Sequence, residues 1–167
     1  YARRDQNRPK RDAFVGMLPP KLAQTMINLG AGENQPQIQA LFGKKTFENP
    51  EILDPFCGTG TVLQEATLKG FEVFGTDLSD KMIDFSQENL DWFKQEFRPH
   101  GKIGKIYQAD ATHEKWDFAP KLSTVVCETY LGQPFSAPPS PKKLAEVREN
   151  CNRIISNFLK NLAHQIT

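Results

Sequence analysis

The chain has little of what would anchor a protein in a membrane, a disulfide scaffold or a metal site. No apolar run in its 167 residues approaches the roughly 18 needed to span a bilayer, so no membrane partner is expected. It does not open with the charged-then-apolar pattern of a secretory signal, although it begins abruptly at Tyr1, which leaves a preceding segment open. The three cysteines, Cys57, Cys127 and Cys151, form no closely spaced pair. That argues against a disulfide framework and for a reducing, cytoplasmic setting. His100, His113 and His164 lack zinc-ligand spacing, and no metal is expected. Neither charge sign dominates, the formal net charge being +1.

What is present reads as ordinary globular protein: 38% hydrophobic and 25% charged residues, on a length typical of one domain. No internal repeat is visible. The charge is unevenly placed. Tyr1 to Lys21 holds six Lys or Arg against two Asp, and the remainder is slightly acidic. Residues 1–12 read as an extended basic arm or linker, either solvated or available for phosphate contacts, and residues 13–167 read as the domain proper.

Pro19 and Pro20 suit the first turn of a helix, with Leu22, Met26 and Leu29 on one face and Gly30 as a stop. Gly32 to Pro50 is loop-like, with a short helical turn around Ile38 to Phe42. Glu51 to Asp54 is a strand that runs into a glycine loop, and Thr59 to Lys69 is a helix stopped by Gly70. Phe71 to Thr76 is a strand ending at Asp77. Ser79 is placed to cap a helix striped with Met82, Ser86, Leu90, Phe93 and Phe97. Ile103 to Ala109 and the nearly all-apolar Leu122 to Cys127 complete four strands. After the proline-rich stretch Ser136 to Pro141, a long amphipathic helix runs from Lys142 to Ile166. Its stripe of Leu144, Val147, Cys151, Ile154, Phe158 and Leu162 suits packing on the chain's own sheet or a coiled-coil seam. The alternation predicts an α/β fold with a mostly parallel sheet.

In such sheets, ligands bind beyond the carboxyl ends of the strands. Here those ends carry Asp54, Asp77, Asp110 and Glu128. Any one of them could be a helix cap or turn residue, but four in register with the strands point to one crevice. Gly58 and Gly60 allow a tight turn and close ligand approach, and the helix that follows offers free amides to an anionic group. A dinucleotide fingerprint would continue with glycine at position 63, where this chain has Leu63, and no Gly-Lys-Thr or Gly-Lys-Ser follows for a phosphate loop. Asp77, 23 residues after Asp54, stands where a ribose-hydroxyl acceptor is expected.

Asp54-Pro55-Phe56-Cys57-Gly58-Thr59-Gly60-Thr61 resembles the first motif of class I S-adenosylmethionine-dependent methyltransferases acting on nucleic-acid amino groups. Gly16-Met17-Leu18-Pro19-Pro20-Lys21-Leu22-Ala23 resembles the segment before the Rossmann-like core of THUMP-associated tRNA guanine-N2 methyltransferases. The resemblance covers roughly Asp12 to Gly132. It implies S-adenosyl-L-methionine as cofactor, with Asp54 and the loop residues Phe56, Cys57, Gly58, Thr59 and Gly60 around the methionine moiety. Met17 and Leu18 would close over that end, Asp77 and Leu78 would hold the ribose and flank the adenine, and Asp110 with Ala111 would meet the adenine. Leu22 reads as core packing. The family sheet has seven strands, so four strands and a final helix predict a Rossmann-like domain incomplete at its C-terminus.

In amino-methylating relatives the fourth strand ends in Asp or Asn, two prolines and an aromatic residue. This chain has Cys127-Glu128-Thr129-Tyr130-Leu131-Gly132. Glu128 is the candidate acceptor for the target amine and Tyr130 the candidate stacking ring, on a loop without the paired prolines and with a longer carboxylate. Cys127 reads as a small apolar residue inside the strand, or as a nucleophile of the kind that methylates pyrimidine carbon. The expected function is methyl transfer to an exocyclic amine of a nucleic-acid base, most of all guanine N2 in tRNA. The alternatives are a DNA adenine or cytosine amino-methyltransferase, a non-catalytic cofactor- or RNA-binding module, and a nicotinamide oxidoreductase, which Leu63 argues against. Nothing in the sequence sets an oligomeric state.

Overall fold

The computed structural model describes residues 1–12, 17–35, 50–117 and 124–165. Its helices are α1 (Ala2–Gln6), α2 (Pro20–Ala31), α3 (Thr61–Leu68), α4 (Asp80–Phe97) and α5 (Pro141–Ala163), and its strands are β1 (Glu51–Asp54), β2 (Glu72–Asp77) and β3 (Ile103–Gln108). The expected turn at Ile38 to Phe42, the start of the fourth strand and Ile166 lie outside the described residues.

The strands are parallel, in the order β1-β2-β3. The fourth expected strand is reduced, among the described residues, to a parallel bridge between Val125 and Leu53. It is closed by Leu53 N–H donating to the Thr124 carbonyl at 3.1 Å and Val126 N–H donating to the Leu53 carbonyl at 3.0 Å. The chain therefore steps outward from β1 to β3, then returns to the other flank of β1. That reversal is the switch point at which such sheets open a crevice.

Alternate strand residues face opposite ways, and the two cores follow that rule. Ile52 and Val73 join the first core with Ala23 and Ile27 of α2, Val62, Leu63 and Ala66 of α3, and Ile83 and Leu90 of α4. Leu53 and Phe74 join the second with Ala111, Trp116 and the α5 residues Phe158 and Leu162. β1 and β2 are thus covered on both faces and read as apolar runs, whereas β3, at the edge, has no buried residue.

Two expected faces are corrected. On α2 the buried positions are Ala23, Ile27 and Ala31, while Leu22 and Leu29 are 48% and 80% exposed. Small residues let α2 approach α3 closely, and the larger leucines of the helix point outward. On α5 only Phe158 and Leu162 are buried, and Leu144 is exposed. The helix meets the sheet with its C-terminal half, and its N-terminal half extends past it.

Two further expectations change. Ser79 stands before α4 but makes no side-chain cap bond. Its amide instead donates to Asp77 Oδ1 at 2.9 Å. Residues 1–12 do not form an extended arm. They fold into α1 and a docked segment in which Arg8 and Asp12 are buried, because their charged side chains find partners on the domain. Arg4 pairs with Glu65 at 2.7 Å, Lys81 with Asp12 at 2.6 Å, and Arg3 with Glu96 at 2.7 Å.

Phe71 is fully buried in the first core. Phe71→Ala should cost about 3–5 kcal/mol of unfolding free energy, read by urea denaturation with an unchanged slope. A loss under about 1 kcal/mol would contradict this account of the core.

Candidate active site

The ends of the parallel strands enclose a crevice of about 840 Å³. The glycine loop between β1 and α3 forms its floor, and the sequence dictates the loop's shape. Gly58 and Gly60 take φ of 51° and 85°, a region that disfavours other residues. At Gly60 a Cβ would also stand 2.6 Å from Ser86 Oγ. Asp54 Oδ1 accepts from the Phe56 amide at 3.1 Å and so closes the turn on itself.

Asp77 joins this loop to the next one. Its Oδ2 accepts from the Gly58 amide at 2.9 Å and its Oδ1 from the Ser79 amide at 2.9 Å. The carboxylate is half-buried and keeps further lone pairs for a ligand. After β3, Asp110 Oδ1 accepts from the Thr112 hydroxyl at 2.7 Å and the Thr112 amide at 2.9 Å. Those two bonds hold the Asp110 carboxyl below its ordinary range.

Asp54 is the electrostatic centre. Burial pushes its carboxyl up to about 8, the Phe56 amide pulls it partly back, and Asp77 and Glu128 push it further up. A cation placed against it would favour the ionised carboxylate and oppose that rise. The thiols of Cys57 and Cys127 are pushed up as well, first by burial and then by Asp54. Cys127 is partly buried and packs against the second core, a setting that disfavours its thiolate.

The structure brings together most of the expected site residues. Leu18, Asp54, Phe56, Cys57, Gly58, Thr59, Asp77, Leu78, Asp110, Ala111, Glu128 and Tyr130 all line the crevice. Two do not: Met17 is half-buried beside Leu18, and Gly60 turns its backbone toward Ser86.

Sequence reasoning missed one wall. Asn150, Arg153, Ile154 and Asn157 of α5 also line the crevice. The helix runs from the 128–134 loop, where a Cβ on Gly132 would stand 2.8 Å from Val147 Cγ1, to the 110–114 loop. There Asn161 donates to the carbonyls of Ala111 at 3.0 Å and Glu114 at 2.8 Å. Phe158 meets Phe56 edge-on, with ring centroids 5.0 Å apart. The spacing of positions 150, 153, 154 and 157 was a legible signal, since it marks one helical face. Among the described residues that line the crevice Arg153 is the one cation, against Asp54, Asp77, Asp110 and Glu128.

A family model described as the RMKL-like methyltransferase domain matches residues 44–117. The tRNA (guanine(10)-N2)-dimethyltransferase of Methanothermobacter thermautotrophicus is 40% identical over 88 residues, covering 52% of this chain and 22% of that protein. The enzyme of the same name from Methanocaldococcus jannaschii is 32% identical over 131 residues, covering 77% of this chain and 32% of that protein. The chain thus spans less than a third of the length of these curated relatives. Among solved structures, an S-adenosylmethionine-dependent methyltransferase from Clostridium acetobutylicum matches 90% of this chain and 47% of its own at a TM-score of 0.51 and 14% identity. PKMT2 from Rickettsia typhi, in complex with AdoHcy, matches 95% of this chain and 25% of its own at 0.51 and 16%. The fold is the Rossmann-like fold of class I methyltransferases, and the sequence is similar to tRNA guanine-N2 methyltransferases.

Asp54 generates a pH prediction. Between its ordinary value of 3.8 and about 8, the folded protein binds a proton that the unfolded chain does not. Its contribution to stability therefore falls as pH rises through that window and levels off above it. Asp54→Asn removes the titration and leaves an acceptor for the Phe56 amide. Its stability relative to wild type should rise from pH 5 to pH 8 by more than about 1 kcal/mol, one pKa unit being worth about 1.4 kcal/mol. Urea unfolding at several pH values gives the difference, and parallel curves would contradict it.

Proposed function

We propose that this chain, with its class I methyltransferase fold, holds S-adenosyl-L-methionine in the strand-end crevice and serves an enzyme that methylates guanine N2 in tRNA. The observation that carries the reading is the convergence of Asp54, Asp77, Asp110 and Glu128 on one crevice around the glycine loop.

The residues suit that cofactor. A crevice with four carboxylates and one Arg favours a cationic ligand and opposes a pyrophosphate. Leu63, fully buried where a dinucleotide site would have glycine, fills the space between α3 and Gly75 of β2. In our assignment Asp54 faces the methionine ammonium, and Leu18 closes that end beside Met17. Asp77 takes the ribose hydroxyls in charge-assisted bonds. Leu78, exposed at the rim, flanks the adenine, and Asp110 accepts from its amino group beside Ala111. Met82, buried and lining the crevice, adds an apolar contact that the motifs did not predict.

When bound, the cofactor supplies an electrophilic methyl on its sulfonium. The chain's part is alignment, since an in-line displacement gains much of its rate from placement. Glu128 and Tyr130 stand at the exposed end of the crevice. We assign to the Glu128 carboxylate the hydrogen bonds from the target amine and the proton that the amine sheds, and to the Tyr130 ring the stacking face for the base. The names of the sequence relatives support the tRNA substrate, and the unpaired cysteines support a cytoplasmic setting. No helix among the described residues is long and apolar enough to cross a membrane.

Labelled cofactor incubated with the full-length protein and tRNA should leave label in N2-methylguanosine, and duplex DNA should stay unlabelled. Label in DNA amino groups would overturn the substrate. Cofactor binding without transfer to either would favour a non-catalytic module. Glu128→Ala should cut transfer about a hundredfold or more with affinity for S-adenosylhomocysteine unchanged, and an unaffected rate would remove Glu128 from the reaction.

A further inference from the structure

The glycine loop is held from two sides, and the crevice explains only one of them. Residues 1–12 touch the loop without lining the crevice. Asn89 of α4, fully buried, is one bridge. Its Nδ2 donates to the carbonyl of Thr59 at 2.9 Å and to that of Lys10 at 3.1 Å, and its Oδ1 accepts from the Lys10 amide at 2.9 Å. Both of its N–H groups are thereby used, one on the loop and one on the N-terminal segment.

Arg8 is the other bridge. Its side chain has no exposed surface. Nε donates to the Arg4 carbonyl at 2.8 Å, Nη2 to Asp5 Oδ1 at 3.3 Å, and Nη1 to Thr61 Oγ1. A buried guanidinium is costly unless its donors are satisfied. Here each of its three nitrogens has an acceptor, from the last turn of α1 or the first residue of α3, and Thr59 and Thr61 both line the crevice. The planar fork of Arg spans that gap, which a lysine ammonium cannot do as one rigid unit.

We propose that Arg8 and Asn89 are positioning residues that clamp the N-terminal segment onto Thr59 and Thr61 and hold the glycine loop in its ligand-binding shape. The segment preceding the Rossmann-like core is then a working part of the cofactor site. Its Arg4 and Arg8 are turned inward onto the domain. The ligand named in the test rests on the proposed cofactor, while the clamp itself does not.

The test compares Arg8→Gln with Arg3→Gln, a control that breaks the exposed Arg3–Glu96 pair of the same segment and leaves the loop alone. Calorimetry with S-adenosylhomocysteine should show a loss of about tenfold or more for Arg8→Gln, the scale of a charged hydrogen bond, and none for Arg3→Gln. Hydrogen exchange without ligand should show faster exchange at loop amides 57–61 in Arg8→Gln, with Ile52 and Leu53 of β1 still protected. Arg8→Lys, which keeps the charge but not the fork, should fall between, and it replaces Arg8→Gln if that variant does not fold. Unchanged affinity and unchanged loop exchange, with only a lower Tm, would make Arg8 merely structural and overturn the proposal. If the wild type binds no S-adenosylhomocysteine, the cofactor reading fails by itself. Loop exchange then decides the clamp, faster exchange supporting it and unchanged exchange overturning it.

Discussion

The hydrogen bond from the Gly58 amide to Asp77 Oδ2, 2.9 Å long, fixes the geometry from which the rest of the site is built. It ties the turn after β1 to the end of β2. Because Asp77 also accepts from Ser79, one carboxylate sets the shape of two loops. The bond requires the left-handed backbone at Gly58 and the close approach of β2, where Gly75 faces the Cys57 side chain without a Cβ of its own. Asp54 is then left buried at the floor, Asp110 stands at the next strand end, and the 124–127 segment beside β1 delivers Glu128 to the opposite rim.

That placement gives the crevice a graded polarity. The floor is acidic and desolvated, so burial raises the Asp54 carboxyl and a cation beside it would favour its charged form. The rim is acidic but wet, at Asp110 and Glu128. The far wall, supplied by α5, carries Asn150, Arg153 and Asn157. Carboxylates thus stand on one side of the crevice and amide and guanidinium donors on the other. α5 holds this position because Phe158 and Leu162 are seated in the second core and Asn161 is fastened to the 110–114 loop.

Much of this was legible in the residues. The first strand has its expected bounds, and the second and third agree to within a residue; for the first two the reason is a buried apolar run bounded by Gly, Asp or Pro, which admits few other readings. The strand-end carboxylates were found for the same reason, since the chain order of a parallel sheet places each successive strand end at one edge. Three things were hidden. The inward face of α2 was misread because Leu22 and Leu29 are the conspicuous apolar residues, whereas the contact with α3 selects Ala23 and Ala31 for their small size. The N-terminal segment was read as an extended basic arm because its partners, Glu65, Asn89 and Glu96, lie far away in sequence. The α5 wall was missed because Asn150, Arg153 and Asn157 are polar and sit beside the apolar stripe, of which only Ile154 reaches the crevice.

The account stands or falls on what the crevice binds. Isothermal titration of the protein with S-adenosylmethionine, S-adenosylhomocysteine and NADH, for wild type and Asp77→Ala, tests it most directly. The account predicts one-to-one binding of the first two and none of NADH, with Asp77→Ala weakening both by about tenfold or more. Binding of NADH in their place, or wild-type binding that Asp77→Ala leaves intact, would contradict it.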